Sequence, residues 1–84
     1  QGKPMPYTVT PSETDTKYFL NRYEGFKKQA EELIEKFSQQ GLTYQWVLEH
    51  SSFSDPEDYN KLILIGFNKE FGEIIRISCF EKGY

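Results

Sequence analysis

Apolar residues recur every three or four positions in the first half of the chain. They stand at Phe19, Tyr23, Phe26, Ala30, Leu33 and Phe37, with Ile34 widening the same stripe. This spacing is typical of an α-helix that buries one face. The opposite face carries charged side chains such as Lys28, Glu31 and Glu35. The pattern predicts one long amphipathic helix over residues 13–40.

Local signals mark both ends of this helix. Ser12 suits the N-cap position, with Asp15 completing an approximate capping box and Thr14 as the alternative cap. Gly41 suits the left-handed position after the last turn. A straight helix of this length would extend about 42 Å, whereas a domain of this size is roughly 25 Å across. We therefore expect a kink at Gly25, or first turns that project towards a partner.

Three later segments have the patterns of β-strands. Residues 42–50 alternate, which places Tyr44 and Trp46 on one face. Residues 61–68 are apolar on both faces, as in a central strand, and residues 73–81 form the third strand after a hairpin-length connection. The expected fold class is α+β: an N-terminal extended arm and one long amphipathic helix packed on a three-stranded antiparallel β-meander.

Prolines set the N-terminal segment apart from the rest. Pro4, Pro6 and Pro11 predict an extended arm over residues 1–11, in which residues 7–10 are β-prone and could add a short edge strand. Residues 1–4, ahead of Met5, have the appearance of an expression remnant. Residues 12–84 are then expected to form a single α+β domain.

The aromatic content indicates contact with another molecule. Phe, Tyr and Trp make up 17% of the 84 residues, and each ring buries roughly 150–250 Å² when covered. One helix covers one face of a sheet, so the second face of the predicted meander would keep bulky apolar groups. We therefore expect a homodimer or a stable protein partner.

Composition argues against several classes of function. A net charge of −3 with charges of both signs disfavours a nucleic-acid-binding domain. The longest apolar run, residues 62–67, is too short for a membrane span of roughly 20 residues. A single Cys79 excludes an internal disulfide and favours a cytoplasmic location. No glycine-rich phosphate loop is present, and we expect neither a cofactor nor a metal.

Two residues raise the question of catalysis. Cys79 continues the apolar face of the third strand, which favours a buried structural thiol. His50 is followed by Ser51 and Ser52, so a small hydrolase-like enzyme with His50 as its base is a third hypothesis. A surface histidine at a strand end is the interpretation we favour, and no catalytic residue is assigned.

The leading hypothesis is a non-enzymatic, regulatory protein-binding module that acts by stoichiometric association. Tyr44 and Trp46 are its candidate contacts, since Tyr and Trp anchor many interfaces. Packing beneath the helix is the commoner use of such a pair, and a protein-binding surface comes next. Stacking of nucleic-acid bases ranks last, because few basic residues lie nearby.

An acidic segment supplies the remaining candidate contacts. Asp55, Glu57 and Asp58 lie in the loop between the first two strands, close in sequence to Glu49. Together they suggest the alternative hypothesis of a small acidic inhibitor of a nucleic-acid-binding protein, of the mobile-element or phage type. Metal binding by these carboxylates is disfavoured, because the spacing differs from that of a calcium-binding loop.

Overall fold

Two helices and a four-stranded antiparallel sheet make up the protein. The computed structural model describes residues 7–51 and 59–82. In chain order the elements are β1 (Tyr7–Val9), α1 (Glu13–Arg22), α2 (Glu24–Gln39), β2 (Thr43–His50), β3 (Tyr59–Asn68) and β4 (Gly72–Lys82). The predicted α+β class is confirmed, but the prediction of one helix and three strands is wrong in detail.

The additional strand comes from the proline-bounded arm. β1 pairs antiparallel with the end of β2, from Tyr7 opposite His50 to Val9 opposite Leu48. The strands lie in the sheet in chain order, so β1 extends the predicted meander at its β2 side. Pro11, two residues after the end of β1, has no backbone N–H and cannot continue the pairing.

The first helix begins at the predicted cap. The Ser12 hydroxyl accepts a hydrogen bond from the backbone N–H of Asp15 at 3.1 Å. The backbone carbonyl of Ser12 accepts hydrogen bonds from both the backbone N–H and the hydroxyl of Thr16, at 3.0 and 2.9 Å. Glu13 and Asp15 place negative charge at the positive end of the helix dipole. At the other end of the helical region, Gly41 takes the expected left-handed conformation, with φ of 72°.

The long helix breaks at Tyr23 rather than at Gly25. Tyr23 has φ of −134° and ψ of 76°, and ends α1 where α2 begins. Its hydroxyl donates to one carboxylate oxygen of Glu81 at 2.9 Å, and Arg22 contacts the other oxygen at 2.9 Å. The hydrogen bond to Glu81 is the main cause of a raised pKa at Tyr23, and burial is the second cause. A contact with the end of β4 therefore holds the break, whereas Gly25 lies within the first turn of α2.

The packing of α2 decides which face of the sheet is covered. Ala30 and Phe37 of α2 form the core with Leu64 of β3. Leu64 lies opposite Trp46 on one side and Ile77 on the other, and both pack against this core. The helices therefore cover the face that carries Trp46, Leu64 and Ile77, which we call the helix face.

A glycine in β3 makes this packing possible. A Cβ atom at Gly66 would lie 2.6 Å from Cζ of Phe37 and 3.1 Å from Cγ2 of Ile75. The ring of Phe37 thus rests on the β3 backbone, at a distance that no other residue type permits without movement. Gly66 is required by close approach of the helix rather than by a turn.

The opposite face of the sheet is less open than expected. Ile63 and Ile65 of β3 point to that face, yet they are only 4% and 8% exposed. Ile65 lies between Gln45 and Arg76 in the sheet, and Ile63 lies between Val47 and Ser78. The central strand is buried on both sides, as its sequence predicts.

Candidate protein-binding groove

A groove lies between the two helices and the outer edge of the sheet. Its volume is about 650 Å³, and α1, α2, β2 and the segment Thr10–Pro11 line it. Leu20 of α1, Ile34 of α2 and Trp46 of β2 contribute the apolar part of its wall. Because α1 and α2 meet at Tyr23, the break in the helix is what leaves room for this groove.

The two aromatic residues singled out in the sequence both line the groove. Trp46 is half-buried and meets the ring of Phe26 edge-on, with ring centroids 6.4 Å apart. Tyr44 is 46% exposed and stacks on Phe37, with centroids 6.5 Å apart. Both lie on the helix face, so each packs towards the core on one side and towards the groove on the other.

The β2 strand beside the groove is only partly paired on its outer edge. β1 pairs with Leu48, Glu49 and His50 alone, although β2 begins at Thr43. Within residues 7–51 and 59–82, Thr43–Val47 have no strand partner on that edge. We call this segment the vacant half-edge. It places unpaired backbone groups next to an apolar groove.

Charged residues of both signs border the groove. Glu13 and Lys17 lie on α1, and Lys27 and Glu31 lie on α2. None of the four forms an ion pair within the described part of the chain. Lys27 donates a long hydrogen bond of 3.3 Å to the amide oxygen of Asn21, which links the two helices. The border is therefore polar and close to neutral.

Of the acidic candidates, only Glu49 lies within the described residues. Asp55, Glu57 and Asp58 lie outside the described residues. Glu49 points to the face opposite the helix face, where it accepts a hydrogen bond of 2.9 Å from the Tyr59 hydroxyl. Lys61 is also close to this carboxylate, at 3.9 Å. Glu49 is thus engaged locally and does not border the groove.

His50 lies at the end of β2 with its ring held by neighbours. Nδ1 is hydrogen-bonded to the amide oxygen of Asn60. The Tyr7 ring packs on the imidazole with centroids 5.2 Å apart. The Ser51 hydroxyl accepts from the backbone N–H of Tyr59 at 3.1 Å. No cluster of three or more potential metal ligands occurs among the described residues.

Cys79 is half-buried on the helix face, opposite Leu62. Burial raises the pKa of its thiol, and the charge of Glu81 adds to this effect. A raised pKa keeps the group protonated at neutral pH, and the protonated thiol is a poor nucleophile. The local environment is the reverse of one that activates a cysteine.

We expect iodoacetamide to alkylate Cys79 slowly. The pH at half-maximal rate should lie above the value of about 8.5 found for a free thiol, since the folded chain disfavours the thiolate. Alkylation monitored by mass spectrometry between neutral and alkaline pH would measure this. The urea-unfolded chain is the control and should react like a free thiol. Faster alkylation of the folded chain at neutral pH would contradict the assignment.

The sequence pattern singles out Tyr44 and Trp46 but not the helical wall of the groove. Ile34 widens the apolar stripe of the helix, and Leu20 stands outside that stripe next to Phe19. These two apolar residues are the only indication of the helical wall that the sequence contains. Their meeting across a groove depends on the break at Tyr23, which periodicity does not show.

Comparison of the chain with protein-family models, with curated proteins and with solved structures finds no match. Among the described residues, no helix has the length and apolar character required to cross a membrane. The groove and the vacant half-edge together form the candidate functional site.

Proposed function

We propose that this protein is a non-enzymatic binding module that associates stoichiometrically with a segment of another polypeptide, through the groove beside β2. One observation carries the proposal: an apolar groove of about 650 Å³ lies directly beside the vacant half-edge. Trp and Tyr are frequent anchors of protein interfaces, and here both line the same site.

The other hypotheses have less support from the described residues. An acidic inhibitor would depend on Asp55, Glu57 and Asp58, which lie outside them, and on Glu49, which is engaged by Tyr59. An enzyme would need a nucleophile beside His50. The described contacts of its ring are with Asn60 and Tyr7.

The partner could also be a second copy of this chain. β4 is the last strand of the sheet, and no described strand pairs with its outer edge. It exposes the large apolar side chains of Ile74, Ile75 and Phe80. Unprotected edges of this kind pair readily with a second chain. Light scattering of the free chain distinguishes a monomer of 9.9 kDa from a homodimer.

The test of the proposal is a peptide selection on the intact chain. A random peptide library displayed on phage is selected against the protein, and the enriched peptide is titrated by calorimetry. We expect one-to-one binding that Leu20→Glu weakens at least about tenfold, because a carboxylate would enter an apolar contact. Tyr18→Glu is the matched control, since Tyr18 lies on the same helix but outside the groove.

A second variant protects the test against loss of folding. Asn21 is exposed and borders the groove, so Asn21→Trp should fill the groove without disturbing the core. Circular dichroism would verify the fold of each variant. Equal affinity for wild type, Leu20→Glu and Asn21→Trp would place binding elsewhere and contradict the proposal.

A further inference from the structure

We infer that the partner segment binds as an added β-strand along the vacant half-edge, with alternate side chains entering the groove. This inference rests on the proposed function and specifies the chemistry of the partner: an extended polypeptide with apolar residues at alternate positions. It also defines a role for the backbone of Thr43–Val47, which no side-chain property of these residues would suggest.

The vacant half-edge lies in line with β1. β1 occupies the same edge of β2 as far as Val9, opposite Leu48. The chain then leaves the edge through Thr10 and Pro11, which border the groove. The vacant half-edge is thus the continuation of the β1 position. At about 3.3 Å per residue, its five residues present an edge of about 17 Å.

The backbone groups of the vacant half-edge favour an extended partner. Alternate residues of an edge strand direct their N–H and C=O groups outward, where only water or another strand pairs with them. An extended polypeptide supplies matching donors and acceptors at the required spacing. A helix satisfies its own backbone groups internally and supplies none. The chemistry of the edge therefore selects an extended segment.

Side chains on the helix face determine which residues of an added strand would fit the groove. Tyr44 and Trp46 point to this face, and both line the groove. A strand added beside them would direct every second side chain to the same face, between Leu20 and Ile34. In strand addition the backbone supplies affinity and such alternate pockets supply specificity. Apolar side chains are the ones that this wall accepts.

The charged residues that border the groove favour neither an acidic nor a basic partner. Glu13 and Lys17 oppose each other in sign on α1, as do Lys27 and Glu31 on α2. Their fields largely cancel at the distance of a Debye length, about 8 Å at physiological ionic strength. A strongly acidic or basic segment gains little here. We expect the affinity to change little between low and high salt.

The experiment uses the selected peptide in three forms: unmodified, N-methylated at its odd positions, and N-methylated at its even positions. In an added strand one set of amides faces β2 and the other faces solvent. We expect one methylated form to lose at least about tenfold in affinity, since it loses hydrogen bonds to β2. The other form should stay within about threefold of the unmodified peptide.

Amide NMR spectra of the intact chain locate the binding. Saturation with the unmodified peptide should shift the amides of Thr43–Val47 and slow the hydrogen exchange of those that face outward. The amides of Ile74–Cys79 on the other edge of the sheet are the internal control. They should keep their exchange rates.

The outcomes separate the two proposals. If a selected peptide binds one-to-one but both methylated forms lose equally, strand addition at β2 is wrong while stoichiometric binding in the groove stands. If exchange slows in β4 instead, the peptide binds elsewhere and both proposals are wrong. If no peptide binds one-to-one, both are wrong. If the free chain dimerises and Thr43–Val47 are already protected, the edge belongs to a second copy and the inference is overturned.

Discussion

Replacement of Gly66 by Ala should lower the free energy of unfolding by about 1–3 kcal/mol. Strand propensity alone gives the opposite sign, because glycine in a strand costs roughly 0.5–1 kcal/mol relative to alanine. The structure reverses this expectation: the new Cβ would lie 2.6 Å from a ring carbon of Phe37. Phe37 is buried in the core, so its ring has little room to move. Chemical denaturation would measure the loss.

Two further variants test the cause. Phe37→Leu in the Gly66→Ala background should recover part of the lost stability, as measured by a double-mutant cycle, because the smaller side chain relieves the contact. Gly25→Ala is the matched control. A Cβ at Gly25 meets nothing within 4 Å and Gly25 lies in the first turn of α2, so this change should leave the free energy of unfolding within about 0.5 kcal/mol of wild type. A Gly66→Ala variant as stable as wild type would show that α2 packs differently on β3.

Replacement of Leu64 by Ala should cost about 2–5 kcal/mol. Leu64 is 1% exposed and joins Ala30 and Phe37 in the core, so its removal leaves a cavity between α2 and the sheet. Stabilities of natural domains are about 5–15 kcal/mol, and an 84-residue chain buries a modest core. The variant should therefore unfold at a much lower denaturant concentration.

Ile74→Ala is the control for this effect of burial. Ile74 is an aliphatic strand residue of the same size but is 46% exposed, so its truncation should cost much less, under about 1 kcal/mol. Both variants are compared by urea denaturation with fluorescence of Trp46. Equal losses for Leu64→Ala and Ile74→Ala would contradict the assignment of the core to the helix face.

Much of the secondary structure follows from local sequence signals. The Ser12 cap, the left-handed Gly41 and the β3–β4 hairpin all occur where the sequence places them. Each depends on contacts within a few residues along the chain, such as the bonds that the Asn68 side chain accepts from Glu70 and Phe71. Alternation also placed Tyr44 and Trp46 on one face correctly.

The break in the helix shows where local signals fail. Intrinsic propensity points to Gly25, because glycine disfavours helix. The observed break at Tyr23 depends on Glu81, 58 residues away in the chain. A single glycine in the first turn of α2 costs little helix stability. The contacts of Arg22 and Tyr23 with the Glu81 carboxylate instead fix the end of α1 against β4.

The candidate site divides in the same way. Its aromatic residues were recognisable from residue type and spacing, because alternation in a strand is a local property. Its shape was not, since the groove requires Leu20 and Ile34 to face each other across two helices. The vacant half-edge requires β1 to stop after three paired residues, and pairing register is a long-range property.

The helices and strands of this chain thus follow from local patterns in the amino-acid sequence. Helical periodicity, strand alternation and the capping residues specify which segments are helix and strand, because each acts over one or two turns or a few strand residues. Long-range contacts settled the rest: the face that α2 covers, the break at Tyr23 and the unpaired stretch of β2. These features depend on which distant side chains and strand edges meet, and the site that we propose is made of them.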